Sequence, residues 1–241
     1  MDLIYGIHAI NEAIEAGKNI DKILLKHDAN GHLAKELREN AKKCRIPVQR
    51  VPLEKIDRVT KRNHQGAIAY ISEIAYFDIE DLLPNIFDSG KTPLLLLLDK
   101  ITDVRNFGAI ARTAEVAGVD AIIIPAKGSA MATADAVKTS AGALHKIPVC
   151  RARDLYETVD YLVDYGLQIV SITEKADKQF YEVDFKLPTV IVMGNEEKGI
   201  TREILNKSTD KVKIPMYGTI ESLNVSVATS IAIYEAIRQR L

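Results

Sequence analysis

The feature that most limits the folds open to this chain is the run Leu94-Leu95-Leu96-Leu97-Leu98, closed by Asp99. A strand with no polar face must be covered on both sides, and that is the condition of a parallel sheet between two helical layers. The run is far too short to cross a membrane. Beyond Asp99 the chain alternates as such a sheet requires. Helical patterns are predicted over 106–117, 132–143, 155–165 and 201–206 and from about 225 onward; strands are predicted over 121–124, 148–150, 167–172, 189–193 and 211–214. Strands interleaved with helices imply a mostly parallel sheet with helices on both faces.

The first 74 residues repeat the alternation on a smaller scale. Helices are expected over 6–15, 32–43 and 53–61, and strands over 20–25, 47–51 and 66–71. This makes an α/β/α unit of ordinary small-domain size. Residues 75–93 break the rhythm with acidic side chains, Pro84, Ser89-Gly90 and Pro93, and read as a linker with a short helical piece. The expected division is therefore 1–74, a linker over 75–93, and 94–241.

Composition excludes several classes. The chain has 241 residues and a net charge of -1, so it does not advertise a nucleic-acid binder by charge alone. Its distribution says more. Residues 1–74 hold 13 Lys and Arg against 10 Asp and Glu, and the remainder holds 19 against 23, so the basic excess lies in the first domain. Cys44 and Cys150 fit no metal-ligand spacing, so no metal is expected and a reducing, cytoplasmic setting is the plain inference. The N-terminus lacks the basic and apolar regions of a signal peptide.

Three loops at predicted strand ends concentrate polar and small residues. The first runs from Asp99 to Gly108, with Asn106 where the helix is expected to begin and Gly108 permitting close approach of another backbone. Arg112 comes six positions after Asn106, about 120° around a helix from it. The second is Met193-Gly194-Asn195-Glu196-Glu197-Lys198-Gly199. Its glycine spacing is that of a phosphate loop, but Ile200-Thr201 stands where Lys-Ser/Thr is needed, and no G-x-G-x-x-G comes after a strand. The third is residues 218–224, where Ser222 and Asn224 favour the positions just outside a helix. Ligands of parallel sheets bind beyond the carboxyl ends of strands, so a shared pocket is expected.

These loops together resemble the three ordered motifs of the SpoU (TrmH-like) branch of the SPOUT RNA methyltransferases: Asn106-Phe-Gly-Ala-Ile-Ala-Arg112, Met193-Gly-Asn-Glu196-Glu-Lys-Gly199, and Ile214-Pro-Met216 with Ser222-Leu223-Asn224-Val-Ser226 after it. Tyr5-Gly-Ile-His8 and His64-Gln65-Gly66 are similar to the N-terminal substrate-binding domain of the same branch, whose fold is like ribosomal protein L30e. Within the branch the RlmB type, which methylates a guanosine ribose of 23S rRNA, is most similar.

The resemblance implies an α/β trefoil-knot domain with a parallel sheet, a homodimer, and S-adenosylmethionine as cofactor. It implies that Gly194, Ile214, Met216, Leu223 and Ser226 hold the cofactor. Asn106, Arg112, Glu196, Ser222 and Asn224 would form the reacting side. A guanidinium keeps its charge at working pH, so Arg112 is expected to clamp the adjacent phosphate and stabilise the developing alkoxide, with Glu196 orienting Arg112 or the loop. The first domain would capture RNA, with Arg62, Asn63, His64 and Gln65 as its polar set. A tRNA 2′-O-ribose methyltransferase of the same branch, or an RNA-binding module without catalysis, stays open as an alternative.

Overall fold

The computed structural model describes residues 2–220 and 222–241; Glu221, in the third loop, lies outside the described residues. The fold class is the expected one, α/β, in two units. One unit comprises residues 1–75 together with 131–134, and the other 76–130 and 135–241.

The small domain contains β1 (Leu3–Tyr5), α1 (Ile7–Glu15), β2 (Ile20–Lys26), α2 (His32–Lys43), β3 (Val48–Val51), α3 (Leu53–Val59) and β4 (Ala67–Ile71). The strand order is β1-β4-β2-β3, with β2 and β3 parallel and the other pairs antiparallel. Ile10, Ile14, Ile23, Leu25, Leu37 and Ala41 bury the face under α1 and α2. A smaller cluster of Leu24, Val51, Ile56 and Ile68 sits on the other face, where α3 contributes Ile56. β1 is absent from the sequence-based expectation because three residues are too few to display a period.

The large domain adds α4 (Ile79–Asp88), β5 (Leu94–Asp99), α5 (Val104–Val116), β6 (Ala121–Pro125), α6 (Ala134–Thr139), β7 (Val149–Ala152), α7 (Leu155–Asp164), β8 (Gln168–Ile172), β9 (Lys178–Gln179), β10 (Thr189–Gly194), α8 (Arg202–Lys207), β11 (Asp210–Lys213) and α9 (Val225–Arg240). Its sheet runs β7-β6-β5-β10-β8-β11-β9 with every pairing parallel. All six residues of β5 are buried, the five leucines as an aliphatic run demands and Asp99 with them. Leu95 and Leu97 join α4 and α7 in one core cluster; their alternating neighbours face the other layer.

The stretch read as a linker is packed. Phe77 bridges in parallel to Cys150 beside β7, and α4 buries Ile79, Leu83 and Ile86 in the core cluster. Asp78 caps α4 by accepting from the Glu80 backbone N–H at 3.1 Å. Pro84 lies inside the helix, beyond its first turn, and does not end it. Among the described residues no helix is long and apolar enough to cross a membrane.

Candidate active site

The three loops do meet. β5 and β10, which the first two loops leave, are neighbours, and β11, which the third loop leaves, lies just beyond β8 in the same all-parallel sheet, so all three segments leave one edge of it. The first segment becomes α5. Its cap is Asp103, whose Oδ1 accepts from the Asn106 backbone N–H at 2.7 Å. The helix thus begins at Val104, two residues before the expected start. This matters chemically: with Asp103 capping, the Asn106 side chain in the first turn is free to point elsewhere. Gly108 is needed on the inward face, where a Cβ would stand 2.7 Å from the Ala136 carbonyl oxygen.

The second segment, after β10, folds back on itself. Asn195 N–H donates to the Gly199 carbonyl at 3.2 Å and Gly199 N–H returns to the Asn195 carbonyl at 2.8 Å. Asn195 Oδ1 accepts from the backbone N–H groups of Glu197 and Lys198 at 3.0 and 3.2 Å, closing the turn from inside. Gly199 turns through φ +67°, and a Cβ on Gly194 would lie 2.3 Å from the Gly199 carbonyl carbon and the Ile200 nitrogen. The loop is tied to the first by Asn195 Nδ2, which donates to the Lys100 carbonyl at 3.1 Å. Buried Asp99 ties it again by accepting from Thr201 N–H at 2.6 Å.

The third segment ends in Asn224, the N-cap of α9, whose Oδ1 accepts from Ser226 N–H at 2.9 Å and from the Ser226 hydroxyl at 2.6 Å. Its amide is simultaneously a donor: Nδ2 reaches Asn106 Oδ1 at 3.1 Å and Glu196 Oε1 at 3.4 Å. Asn106 Nδ2 donates to the same Glu196 oxygen at 2.8 Å. Residues 106, 196 and 224 therefore close a triangle of hydrogen bonds, one corner from each loop. Glu196 Oε2 has no partner among the described residues.

Beside this triangle lies a pocket of about 320 Å³, within the range of small-molecule and cofactor sites. Gly194, Glu196, Ile214, Met216, Ser222, Leu223 and Asn224 all line it. Ile172, Met193, Ile200 and Val225 give it apolar walls, and its ionisable lining among the described residues is two carboxylates, Glu174 and Glu196. Apolar walls suit a purine, and carboxylates without a cation suit a ligand carrying positive charge, so the lining fits the donor implied by the motifs. Thr173 and Glu174, from the end of β8, are not among the residues expected from the sequence; their only signal there is their place at a strand end.

Other expected residues fall elsewhere. Ser226 does not line the pocket; its N–H and hydroxyl are both spent on Asn224. Arg112 is exposed and has no partner among the described residues. Six residues along α5 carry it about 9 Å from Asn106 on a different face of the helix. Glu196 accordingly holds the two asparagine amides and makes no ion pair with Arg112 among the described residues. In the small domain Arg62, Asn63 and Gln65 are exposed, but His64 is buried. Its Nδ1 accepts from Gly66 N–H at 3.1 Å, which leaves Nε2–H to donate to Asp57 at 2.9 Å. With both nitrogens occupied, His64 holds the turn before β4 and is not open to RNA.

Comparison with known proteins agrees along the whole length. The sequence pattern of the SpoU rRNA Methylase family matches residues 93–234. The pattern described as RNA 2′-O ribose methyltransferase substrate binding matches residues 3–77. A protein of Staphylococcus saprophyticus assigned to the TrmH family of tRNA/rRNA methyltransferases is 37% identical over 238 residues, 99% of this chain and 96% of its own. The AdoMet-bound rRNA methyltransferase from Sinorhizobium meliloti superposes with a TM-score of 0.64 at 25% identity, over 99% of this chain and 87% of that one. The TrmH/SpoU tRNA modifying enzyme of A. aeolicus gives a TM-score of 0.57 at 33% identity, over 67% of this chain and 84% of its own.

Proposed function

This chain belongs to the SpoU rRNA methylase family, and from that premise we propose that it moves a methyl group from S-adenosylmethionine to a ribose 2′-hydroxyl of ribosomal RNA. The observation that carries the reading is the triangle of Asn106, Glu196 and Asn224 at the mouth of a pocket lined by Gly194, Ile214, Met216 and Leu223.

When bound in that pocket, the donor supplies an electrophilic methyl carbon on a cationic sulfur. The protein's part is to place a weak nucleophile and handle its proton. Placement alone removes much of the barrier when two reactants are held in line. Glu196 Oε1 is saturated by two amides, so the carboxylate is fixed in orientation and its free Oε2 is the acceptor this site offers. The hydroxyl oxygen loses its proton as it takes the methyl, and Oε2 is where that proton goes. Arg112 stays a cation at any working pH. It is proposed to clamp a phosphate of the bound RNA away from the reacting oxygen. Ser222, in the pocket wall, adds a hydroxyl to hold the donor's polar end.

Ribosomal RNA is favoured over tRNA by coverage. The rRNA methyltransferase shares both domains of this chain, whereas the tRNA enzyme covers two thirds of it. The finer target, a guanosine of 23S rRNA, rests on the resemblance to the RlmB type. Such a substrate makes the enzyme a cytoplasmic one.

A homodimer is also proposed, through α9. Val227 and Tyr234 are 48% and 50% exposed and lie two turns apart on one stripe of that helix, with Tyr217 and Ile220 exposed in the loop before it. Partly covered Ile231 lies between them on that stripe, and an exposed apolar strip of this kind marks a protein contact. Sedimentation equilibrium tests this: a monomer at micromolar concentration refutes it. For the activity, the protein is incubated with tritiated S-adenosylmethionine and separate rRNA and tRNA pools. Label in the 2′-O-methyl nucleosides of rRNA is expected; label confined to tRNA selects the alternative, and none in either removes the enzyme reading.

A further inference from the structure

The small domain has one sheet face that α3 covers only in part. By register Tyr5 stands opposite Ile68, and Lys22 opposite Tyr70. Leu24 is also opposite Ile68. Alternation therefore turns Tyr5, Lys22, Leu24, Ile68 and Tyr70 to the same side. This is the side with the four-residue cluster beside α3; Tyr5 and Tyr70 pack only at its margin and stay half-buried.

Each tyrosine carries a cation. Arg62 Cζ lies 5.4 Å from the Tyr5 ring centroid and Lys22 Nζ lies 4.9 Å from that of Tyr70. Burial holds the Lys22 ammonium below its usual range; Asp21 opposes this shift and Lys55 adds to it. A cation kept half-dry beside another cation is stabilised by an arriving anion. Tyr5 and Tyr70 are diagonal neighbours, about 7–8 Å apart along the sheet, a step that consecutive bases of an unpaired strand can bridge.

Resting on the reading of this chain as an RNA methyltransferase, we propose that this face binds a single-stranded segment of the RNA substrate. Lys22 and Arg62 swing off the rings to meet the flanking phosphates, as Lys55 does, and bases take their place against Tyr5 and Tyr70. Single-stranded RNA is recognised by this pairing of aromatic platforms with backbone charge. The local basic excess of residues 1–74 suits such a partner.

The test uses the full chain and a fluorescein-labelled unstructured RNA oligonucleotide, read by anisotropy over a salt series. Tyr5→Leu with Tyr70→Leu should weaken binding about thirty-fold or more, the product of about five-fold for each lost stack at the lower end of what stacking contributes. Tyr5→Phe with Tyr70→Phe should stay within about two-fold, since each keeps its π-face. Lys22→Gln should lower the log–log salt slope by about 0.7. Calorimetric binding of S-adenosylmethionine should not change in any of them. Equal affinity of wild type and the leucine pair, or an equal loss in the phenylalanine pair, overturns the proposal. If the leucine pair does not fold, an unchanged slope for Lys22→Gln does so alone. A wild type that binds the donor but no RNA removes RNA as substrate, and this face with it.

Discussion

Gly194→Ala tests whether the pocket is shaped by contact between two stretches of backbone. The new Cβ would sit 2.3 Å from Gly199 and Ile200 backbone atoms, and ordinary contact begins at 3.4 Å, so about 1.1 Å of relief is required. Neither side gives easily. β10 is locked between β5 and β8. Ile200 is buried in the core cluster, and Thr201 is held by Asp99. Crowding of this kind costs about 1–3 kcal/mol, which in a chain of this size lowers Tm by roughly 3–10 °C. A wall displaced by about 1 Å can reduce catalysis about a hundred-fold. Donor affinity, measured by calorimetry, should fall about ten-fold. Gly199→Ala is the control. Its φ of +67° strains any other residue, yet no atom stands within 4 Å of a Cβ there, so the expected cost is about 1–2 kcal/mol of backbone strain. Gly194→Ala proving milder than Gly199→Ala in donor affinity would refute the crowding argument.

Asn224 separates its two roles on substitution. Asn224→Asp keeps the cap, so thermal stability should hold, but it replaces the amide donor with a second carboxylate facing Glu196, and methyl transfer should fall at least about ten-fold. Asn224→Ala should lose about 1 kcal/mol as well. Arg112→Ala, at an exposed position, should leave Tm and donor binding unchanged while abolishing transfer to RNA; loss of donor binding would assign Arg112 a structural task. Burial pushes the Cys150 thiol up to about 12, whereas Cys44 is exposed. At pH 8 a disulfide reagent should therefore titrate one thiol of the native protein and two after denaturation; two fast thiols would contradict the core around β7.

Much of the fold is legible in the sequence because its signals are local. The aliphatic run of β5 announces a strand covered on both sides, and the helix–strand alternation carries most remaining elements to within a few residues. What stays hidden depends on partners distant in sequence. The stretch 75–93 reads as a linker because prolines and acids dominate it, yet Ile79, Leu83 and Ile86 lie on the face that reaches the core. His64 is a polar ring in a polar stretch, and only the fold shows Asp57 and the Gly66 amide occupying it. Asn106, Glu196 and Asn224 are marked by their motifs, but their bonding pattern needs coordinates. Asp103 is in plain view: an Asp three residues ahead of Asn106 is a cap signal, and recognising it frees the asparagine side chain at once.

The triangle draws its last corner from residue 224 of 241. A chain still being synthesised, or one clipped before its final helix, holds the first two corners without the third. In such a chain Glu196 Oε1 keeps one amide donor in place of two, and nothing from the third loop holds the carboxylate to the first.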